Sequence, residues 1–500
     1  MRQIPATIAS QHPDNALAPY WRSHSPFIGA YHEMQEAVSC FKDLGVSEYM
    51  WDWEGKHADA AVIDRLLSDH YDYFSEQQLG RDKFLTFRIP NVWEEKGYNL
   101  MQAMSVILSA EDMSRDLKLK QRPLFEVILP MTENADQLMK MQQLFEKLAK
   151  FKSSEFTSDQ PANNPYMEMI PLVESVESQL GVADLLADYV MLHEKHFKFR
   201  PGYIRLFFAC SDSSLTSGLL AGILANKLTI IRAYEFQEES GIPVFPFAGP
   251  GSLHFRGGLS PHSVDRFLKE YAGVRTVTVQ SAFRYDYPLD EVKKAVAKLE
   301  KELPKTKIPK LSAAEQKRLI TIAEHSAKLY RQTLDGIAGD MQVFFKAVPK
   351  RRDRRQHIGL LAYSRGVGSQ TLPRAITFTA GFYSIGVPPE LLAFGRSLKS
   401  LSKDDLGLLQ KVYPSMLEDL KIIGGYLNRD NLAGLASRNQ AWQAVQEDVE
   451  ALESLIGLSF APTSDEQRRH QNLSRQLLVA DSADYIDLIS KMAVLRKSLG

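Results

Sequence analysis

Cysteine is nearly absent. Cys40 and Cys210 are the only two in 500 residues, too few and too far apart for a disulfide framework or a thiolate metal site. A reducing compartment is expected, with Cys210, inside an apolar run, as a small core residue rather than a nucleophile. An excess of charge is missing too. Sixty Lys and Arg stand against 61 Asp and Glu, a net charge of −1. No global field therefore gathers nucleic acid or anionic membrane, and an anion site must be built locally. No hydrophobic run is long enough to span a bilayer: the most apolar window, 215–231, is interrupted by Asn226 and Lys227. Met1–Pro5 lacks the apolar core of a signal peptide, so the chain is expected to be cytoplasmic and away from membranes. Internal repeats and low-complexity segments are also lacking. What remains, 44% apolar and 24% charged residues, is ordinary globular composition.

Short apolar or β-branched runs occur at 46–53, 84–90, 124–130, 167–173, 203–210, 243–248, 274–280 and 359–363. The first seven begin roughly 30–45 residues apart, room for a strand, a loop and a crossover helix in each interval. Several runs are apolar on both faces, as parallel strands covered by helices should be. The pattern predicts an α/β chain folded as a (β/α)8 barrel of the TIM type over about 40–400, with added helices. Ser312 and Glu315 form a capping-box signal ahead of an apolar stripe at Leu319, Ile322, Ala323, Tyr330 and Leu334. Ser402 and Asp405 open a second helical stretch, and about 400–500 reads as a C-terminal helical elaboration. No linker divides the chain, so a single domain over 1–500 is expected.

Chemistry in such a barrel sits at the C-terminal ends of the strands. Those positions hold Asp52 and Glu54, Arg88, Thr132 and Glu133, Glu174, Asp212, Gln280 with Arg284, and Arg365. Carboxylates and arginines together suit a metal-assisted site for a phosphorylated carboxylate. Glu174 and Asp212, on adjacent strands, are the best pair for Mg²⁺ or Mn²⁺, which take one or two protein carboxylates plus substrate and water oxygens. The same two residues could equally be structural carboxylates paired with barrel arginines.

The span 249–258 carries four glycines, Gly249, Gly251, Gly257 and Gly258, around His254 and Arg256, and follows an apolar run. Such a loop can turn its N–H groups and an arginine onto an anion, or it can be a turn with a surface arginine. The polar segment Ser10-Gln11-His12-Pro13-Asp14-Asn15 places a histidine in a loop, where most histidines are merely solvated. Arg365 and Arg374 straddle another glycine-containing loop. The basic run 350–355 lacks interleaved aromatics and lies toward the opposite end of the barrel. It reads as a solvated or subunit-contacting face rather than a nucleic-acid site.

Taken in order, six segments resemble the phosphoenolpyruvate carboxylases, in particular the short archaeal-type form also found in some bacteria. They are Ser10–Asn15, Glu48-Tyr-Met-Trp-Asp-Trp-Glu-Gly-Lys56, Pro171-Leu-Val-Glu174, Cys210-Ser-Asp-Ser213, Phe255-Arg-Gly-Gly258 and Arg374-Ala-Ile376. The similarity runs essentially end to end. It implies carboxylation of phosphoenolpyruvate by bicarbonate to oxaloacetate and phosphate, an anaplerotic fixation of carbon dioxide, by a Mg²⁺-dependent homotetramer. By matching position it implies His12, Arg256, Arg365 and Arg374 as catalytic residues and Glu174 and Asp212 as metal ligands. Arg88, Gly257, Gly258 and Arg284 are expected at the substrate.

Two departures from the family's long form stand out. Its glycine loop has a histidine and an arginine where this chain has Ala248 and Pro250, and three residues after the metal aspartate that form has a lysine where this chain has Leu215. Arg284, Lys56 and His254 are the candidates for the missing charge. Two rival readings remain from the residues alone: another metal-dependent barrel lyase or aldolase acting on a pyruvate enolate, and a phosphometabolite sensor without catalysis.

Overall fold

A computed structural model describes residues 3–500 except 22–28, 57, 96, 157–164, 351–364, 368–369 and 458; for 365–367, 370 and 371 it describes the backbone alone. Its centre is a closed barrel of eight parallel strands in sequence order. They are β1 (Thr7–Ala9), β2 (Glu48–Asp52), β3 (Phe84–Arg88), β4 (Glu126–Leu129), β5 (Glu168–Val173), β6 (Ile204–Ala209), β7 (Val244–Gly249) and β8 (Thr276–Val279). Seven fall on the first seven apolar runs of the sequence.

The eighth does not. The barrel is closed by β1, which pairs with β2 through Ile8 and Ala9 and with β8 through all three of its residues. The run at 359–363, expected as the last strand, lies outside the described residues, as does most of the basic run at 350–355. The barrel strands thus occupy 7–279 rather than about 40–400. A three-residue strand carries too little periodicity to be read from sequence, but two neighbours fix it in a parallel ladder.

The barrel interior is layered. Near the N-terminal ends, Arg205 of β6 is fully buried. It donates to Glu48 of β2 at 2.7 and 2.8 Å, to Glu126 of β4 at 2.8 Å and to Thr276 of β8 at 3.1 Å. These four side chains come from alternate strands, as barrel layers require. Above them lies an apolar plug that includes Met50, Ile128, Ile170, Phe207 and Phe247, with the two phenylalanine rings stacked at 3.8 Å. A filled interior leaves the C-terminal mouth as the place for a ligand.

The expected capping boxes are present at Ser312–Glu315 and Ser402–Asp405. The first opens a helix of 35 residues, Ala313–Ala347, whose stripe at Leu319, Ile322, Ala323, Tyr330 and Leu334 is buried in a second core. The helix Leu219–Ser240 lies between the two cores. Ile230, Ala233 and Phe236 join the packing around the barrel, while Leu220, Leu224 and Leu228 join the second core. Burial on two sides explains the most apolar window of the sequence. Among the described residues no helix is long and apolar enough to cross a membrane. Cys40 and Cys210 are buried and unbridged, and burial pushes their thiols up to about 11 and about 12, so neither is a nucleophile at neutral pH.

Candidate active site

A cavity of about 1030 Å³, counting its open mouth, lies over the apolar plug at the C-terminal end of the barrel. Its wall is built from strand ends and the segments that follow them. β1 runs straight into Ser10–Asn15, so His12 stands at a strand end and not in an isolated loop. Ser10 Oγ lies 2.9 Å from His12 Nδ1. Burial and the Arg88 guanidinium push the His12 pKa well below the usual histidine value, against a smaller opposing pull from Asp52. The same two causes favour the neutral imidazole.

β2 and β3 end in a charged pair. Arg88 donates through Nε to Asp52 at 2.8 Å and through Nη2 at 2.6 Å, and its Nη2 also lies 2.8 Å from Glu54. Burial alone would raise the Asp52 pKa, but Arg88 and Lys56 override it and hold the carboxyl well below its usual range. Glu54 in turn lies 3.8 Å from Arg374, which opens the helix Ala375–Ser384. Among the described residues this is the one ion-pair contact of Arg374, whose side chain keeps 32% of its exposure. Toward the described residues its guanidinium is therefore lightly engaged.

Of the three candidates for the missing cation, the cavity wall includes Lys56 alone. The Lys56 ammonium donates to Gln11 Oε1 at 2.7 Å, and the same oxygen accepts the Asp52 N–H at 3.2 Å. His254 lies in a separate small cavity beside Asp419 and Arg266. Arg284, expected at the substrate, is buried behind the His12 segment. It donates to the Ser10 carbonyl at 2.7 Å and to Glu36 at 3.0 Å. It supports the backbone that carries His12 and does not line the cavity.

Glu174 directly follows β5, and Asp212 sits in the first turn of the helix Cys210–Ser217 that follows β6. Both line the cavity. Two hard carboxylates on neighbouring strand ends fit a divalent ion whose remaining positions are filled by substrate and water. Among the described residues no cluster of three or more His, Cys, Asp or Glu gathers around one point. The fit is to such a shared site rather than to an all-protein cage.

The glycine loop closes over the other side. Arg256 is 2% exposed, so of the two readings of this loop the turn with a surface arginine is excluded. It donates to Ser211 at 3.1 Å, Asp14 at 2.9 Å, Gln280 at 2.5 Å and the Gly500 carbonyl at 2.6 Å. A Cβ on Gly251 would stand 2.6 Å from the Arg256 guanidinium carbon, so the glycine makes room for the arginine. Gly257 has φ of +104°, and a side chain there would meet Pro250 at 2.8 Å. Gly257 and Gly258, expected as substrate contacts, do not line the cavity; they let the loop turn. Arg365 begins a short strand, Arg365–Val367, paired with Gln370–Leu372, and its side chain lies outside the described residues. Thr132 and Glu133, also strand-end candidates, cap the local turn after β4 instead.

Sequence reading missed the contribution of Gly500 and of Glu390 and Asp419, which brace the glycine loop from far along the chain. No local motif marks them.

Comparison with known proteins places the chain beside one family. The family model described as phosphoenolpyruvate carboxylase matches residues 4–500. A protein of Leuconostoc mesenteroides subsp. mesenteroides named phosphoenolpyruvate carboxylase is 54% identical over 503 residues, covering 100% of this chain and 99% of that protein. One of the same name from Oenococcus oeni is 48% identical with the same coverage. One of the same name from Metallosphaera sedula is 34% identical over 520 residues and covers both chains completely.

Proposed function

The chain belongs to the phosphoenolpyruvate carboxylase family, and on that premise we propose how its cavity carboxylates phosphoenolpyruvate with bicarbonate to give oxaloacetate and inorganic phosphate. One observation carries the proposal. His12, Arg88, Glu174, Asp212, Arg256 and Arg374, drawn from six separate segments, line a single cavity at the barrel mouth. Membership sets the aldolase reading aside.

Among the described residues Arg374 has the least engaged guanidinium of the three arginines, and it takes the phosphoryl oxygens as bicarbonate attacks phosphorus. Arg88 and Arg256, tied to protein carboxylates, supply fixed positive potential without moving. Lys56 provides the further cation that the departures from the long form call for, aimed at the substrate carboxylate or bicarbonate. Glu174 and Asp212 would hold Mg²⁺ or Mn²⁺, which when bound supplies Lewis-acid stabilisation to the enol oxygen.

Attack by bicarbonate breaks the bond between phosphorus and the enol oxygen and leaves carboxyphosphate beside the enolate. With Nδ1 engaged by Ser10, His12 takes the carboxyl proton of carboxyphosphate at Nε2. The bond between carbon and the bridging oxygen then breaks, releasing CO₂, and the departing phosphate recovers the proton from His12. The enolate carbon attacks CO₂ to form oxaloacetate. Walls of buried side chains around the cavity keep water from protonating the enolate first.

A cytoplasmic homotetramer completes the proposal. Its support is the family resemblance and the two unbridged cysteines, which suit a reducing compartment. Sedimentation equilibrium returning a single 56.5 kDa species would remove the tetramer. The activity is tested by oxaloacetate formation from phosphoenolpyruvate, bicarbonate and Mg²⁺, coupled to NADH-dependent reduction to malate. Binding of phosphoenolpyruvate without turnover would make the protein a sensor.

A further inference from the structure

Three consecutive residues of the glycine loop face three different ways. Arg256 turns to the barrel mouth. Phe255 packs into the second core, its ring stacked on Phe378 with centroids 5.6 Å apart. His254 turns to Asp419, with Nε2 3.4 Å from Oδ1. Two carboxylates of the helical region meet this loop from behind. The Phe255 N–H donates to Glu390 Oε1 at 2.9 Å, and Tyr383 donates to the same oxygen at 2.8 Å. Arg266 donates through Nη1 to both oxygens of Asp419 at 2.9 Å, and through Nη2 to the Gly258 carbonyl. Tyr413 adds a hydrogen bond to Asp419 at 2.7 Å.

Glu390 is fully buried, and among the described residues its second oxygen has no hydrogen-bond partner. An apolar side chain of similar length would fill the space without the cost of desolvating a carboxyl group. What it could not do is accept the backbone N–H one residue before Arg256. The second brace grips the loop two residues after Arg256, at Gly258. The arginine is thus held between two fixed points, neither of which touches the cavity.

We infer that Glu390 and Asp419 are positioning residues that hold the glycine loop from behind, so that Arg256 keeps the orientation the reaction requires. This inference rests on the role assigned above to Arg256. A misplacement of about 1 Å in a catalytic group can cost on the order of a hundredfold in rate. The braces therefore act on turnover without contacting substrate.

The test is a double-mutant cycle on the full-length protein with steady-state kinetics and melting temperature. Glu390→Leu is expected to lower kcat at least about tenfold, with a smaller change in KM. Glu390→Gln, which keeps an acceptor for the Phe255 N–H, is expected to restore most of the loss. In an Arg256→Ala background Glu390→Leu should add almost nothing, because the brace acts through that arginine. Wild-type turnover in Glu390→Leu, no rescue by glutamine, or the same loss with and without Arg256 would overturn the inference. If Glu390→Leu does not fold, Asp419→Asn takes its place in the cycle: a loss of turnover that disappears in the Arg256→Ala background supports the inference, and an undiminished one overturns it. Wild-type turnover in Arg256→Ala alone would overturn the assignment of Arg256, and this inference with it, a result distinct from failure of the brace.

Discussion

Arg256 and Asp14, 242 residues apart in sequence, meet at 2.9 Å across the barrel mouth, both almost wholly buried. The other Asp14 oxygen accepts the Ala282 N–H at 2.7 Å. One carboxylate thereby ties the glycine loop, the segment that carries His12 and the end of β8 into one unit. The residue proposed to act on the proton and an arginine of the phosphate field share a mount.

That mount makes Arg256 important to both stability and rate. Arg256→Ala leaves Asp14 buried without its partner, and breaking such a pair costs about 3–5 kcal/mol. A marked fall in melting temperature is expected together with a large fall in oxaloacetate formation that leaves a measurable residual rate. Arg256→Lys should regain much of the stability but not the rate, since an ammonium cannot span Ser211, Asp14 and Gln280 at once. Melting curves and coupled assays on both variants check this; full activity in the lysine variant would show that charge alone suffices.

Glu174 and Asp212 are proposed to hold the divalent ion, so Glu174→Gln and Asp212→Asn should each bind Mn²⁺ at least about tenfold more weakly and show no turnover. Mn²⁺ binding can be followed by electron paramagnetic resonance without any assay of activity. Undiminished Mn²⁺ affinity and activity in Asp212→Asn would assign the carboxylate to structure.

His12→Asn separates phosphorus chemistry from carbon–carbon bond formation. Bicarbonate can still attack phosphorus, but loss of CO₂ from carboxyphosphate slows and the enolate is protonated instead. The expected variant is a bicarbonate-dependent phosphatase yielding phosphate and pyruvate with little oxaloacetate. Because burial and Arg88 hold the His12 pKa well below its usual value of 6.5, the wild-type rate should stay level as pH falls through 6.5 and decline only in more acid solution. Parallel measurement of the three products across pH decides both points; undiminished oxaloacetate in the variant would reduce His12 to a loop residue.

Glu390 gives a stability prediction of opposite sign to that of most carboxylates. Burial pushes its pKa up from 4.5 to about 7, against hydrogen bonds from Tyr383 and Phe255 and the positive charge of Arg496. Below pH 4.5 the group is protonated folded and unfolded, and nothing is lost. Between 4.5 and 7 the folded state keeps a proton that the unfolded state gives up, so stability falls as pH rises; above 7 the full cost is present. Glu390→Gln removes that cost, up to roughly 3 kcal/mol. Its melting temperature should exceed that of the wild type by a margin that grows from pH 5 to pH 8. A margin independent of pH would show that Glu390 does not titrate in this range.

Much was legible in the sequence. Seven strands could be read because strands buried on both faces are continuous apolar runs, and the helices Ala313–Ala347 and Lys403–Val412 announced their starts through side chains that bond three residues away. Glu174 and Asp212 were legible because each directly follows a readable strand. His12 was identified by resemblance, but its place at a strand end was hidden because β1 is only three residues long.

Tertiary structure decided the rest. Lys56, Arg284 and His254 are equivalent as sequence, three basic residues near polar segments of this chain. Only the closed barrel puts Lys56 on the cavity wall, Arg284 behind the His12 segment and His254 against Asp419. Likewise nothing local links Phe255 to Glu390, 135 residues away, or Arg266 to Asp419, 153 residues away. Periodicity and capping report interactions within a few residues along the chain. The mouth of the barrel is made by groups brought together from its whole length, and their distances exist only once the chain has closed.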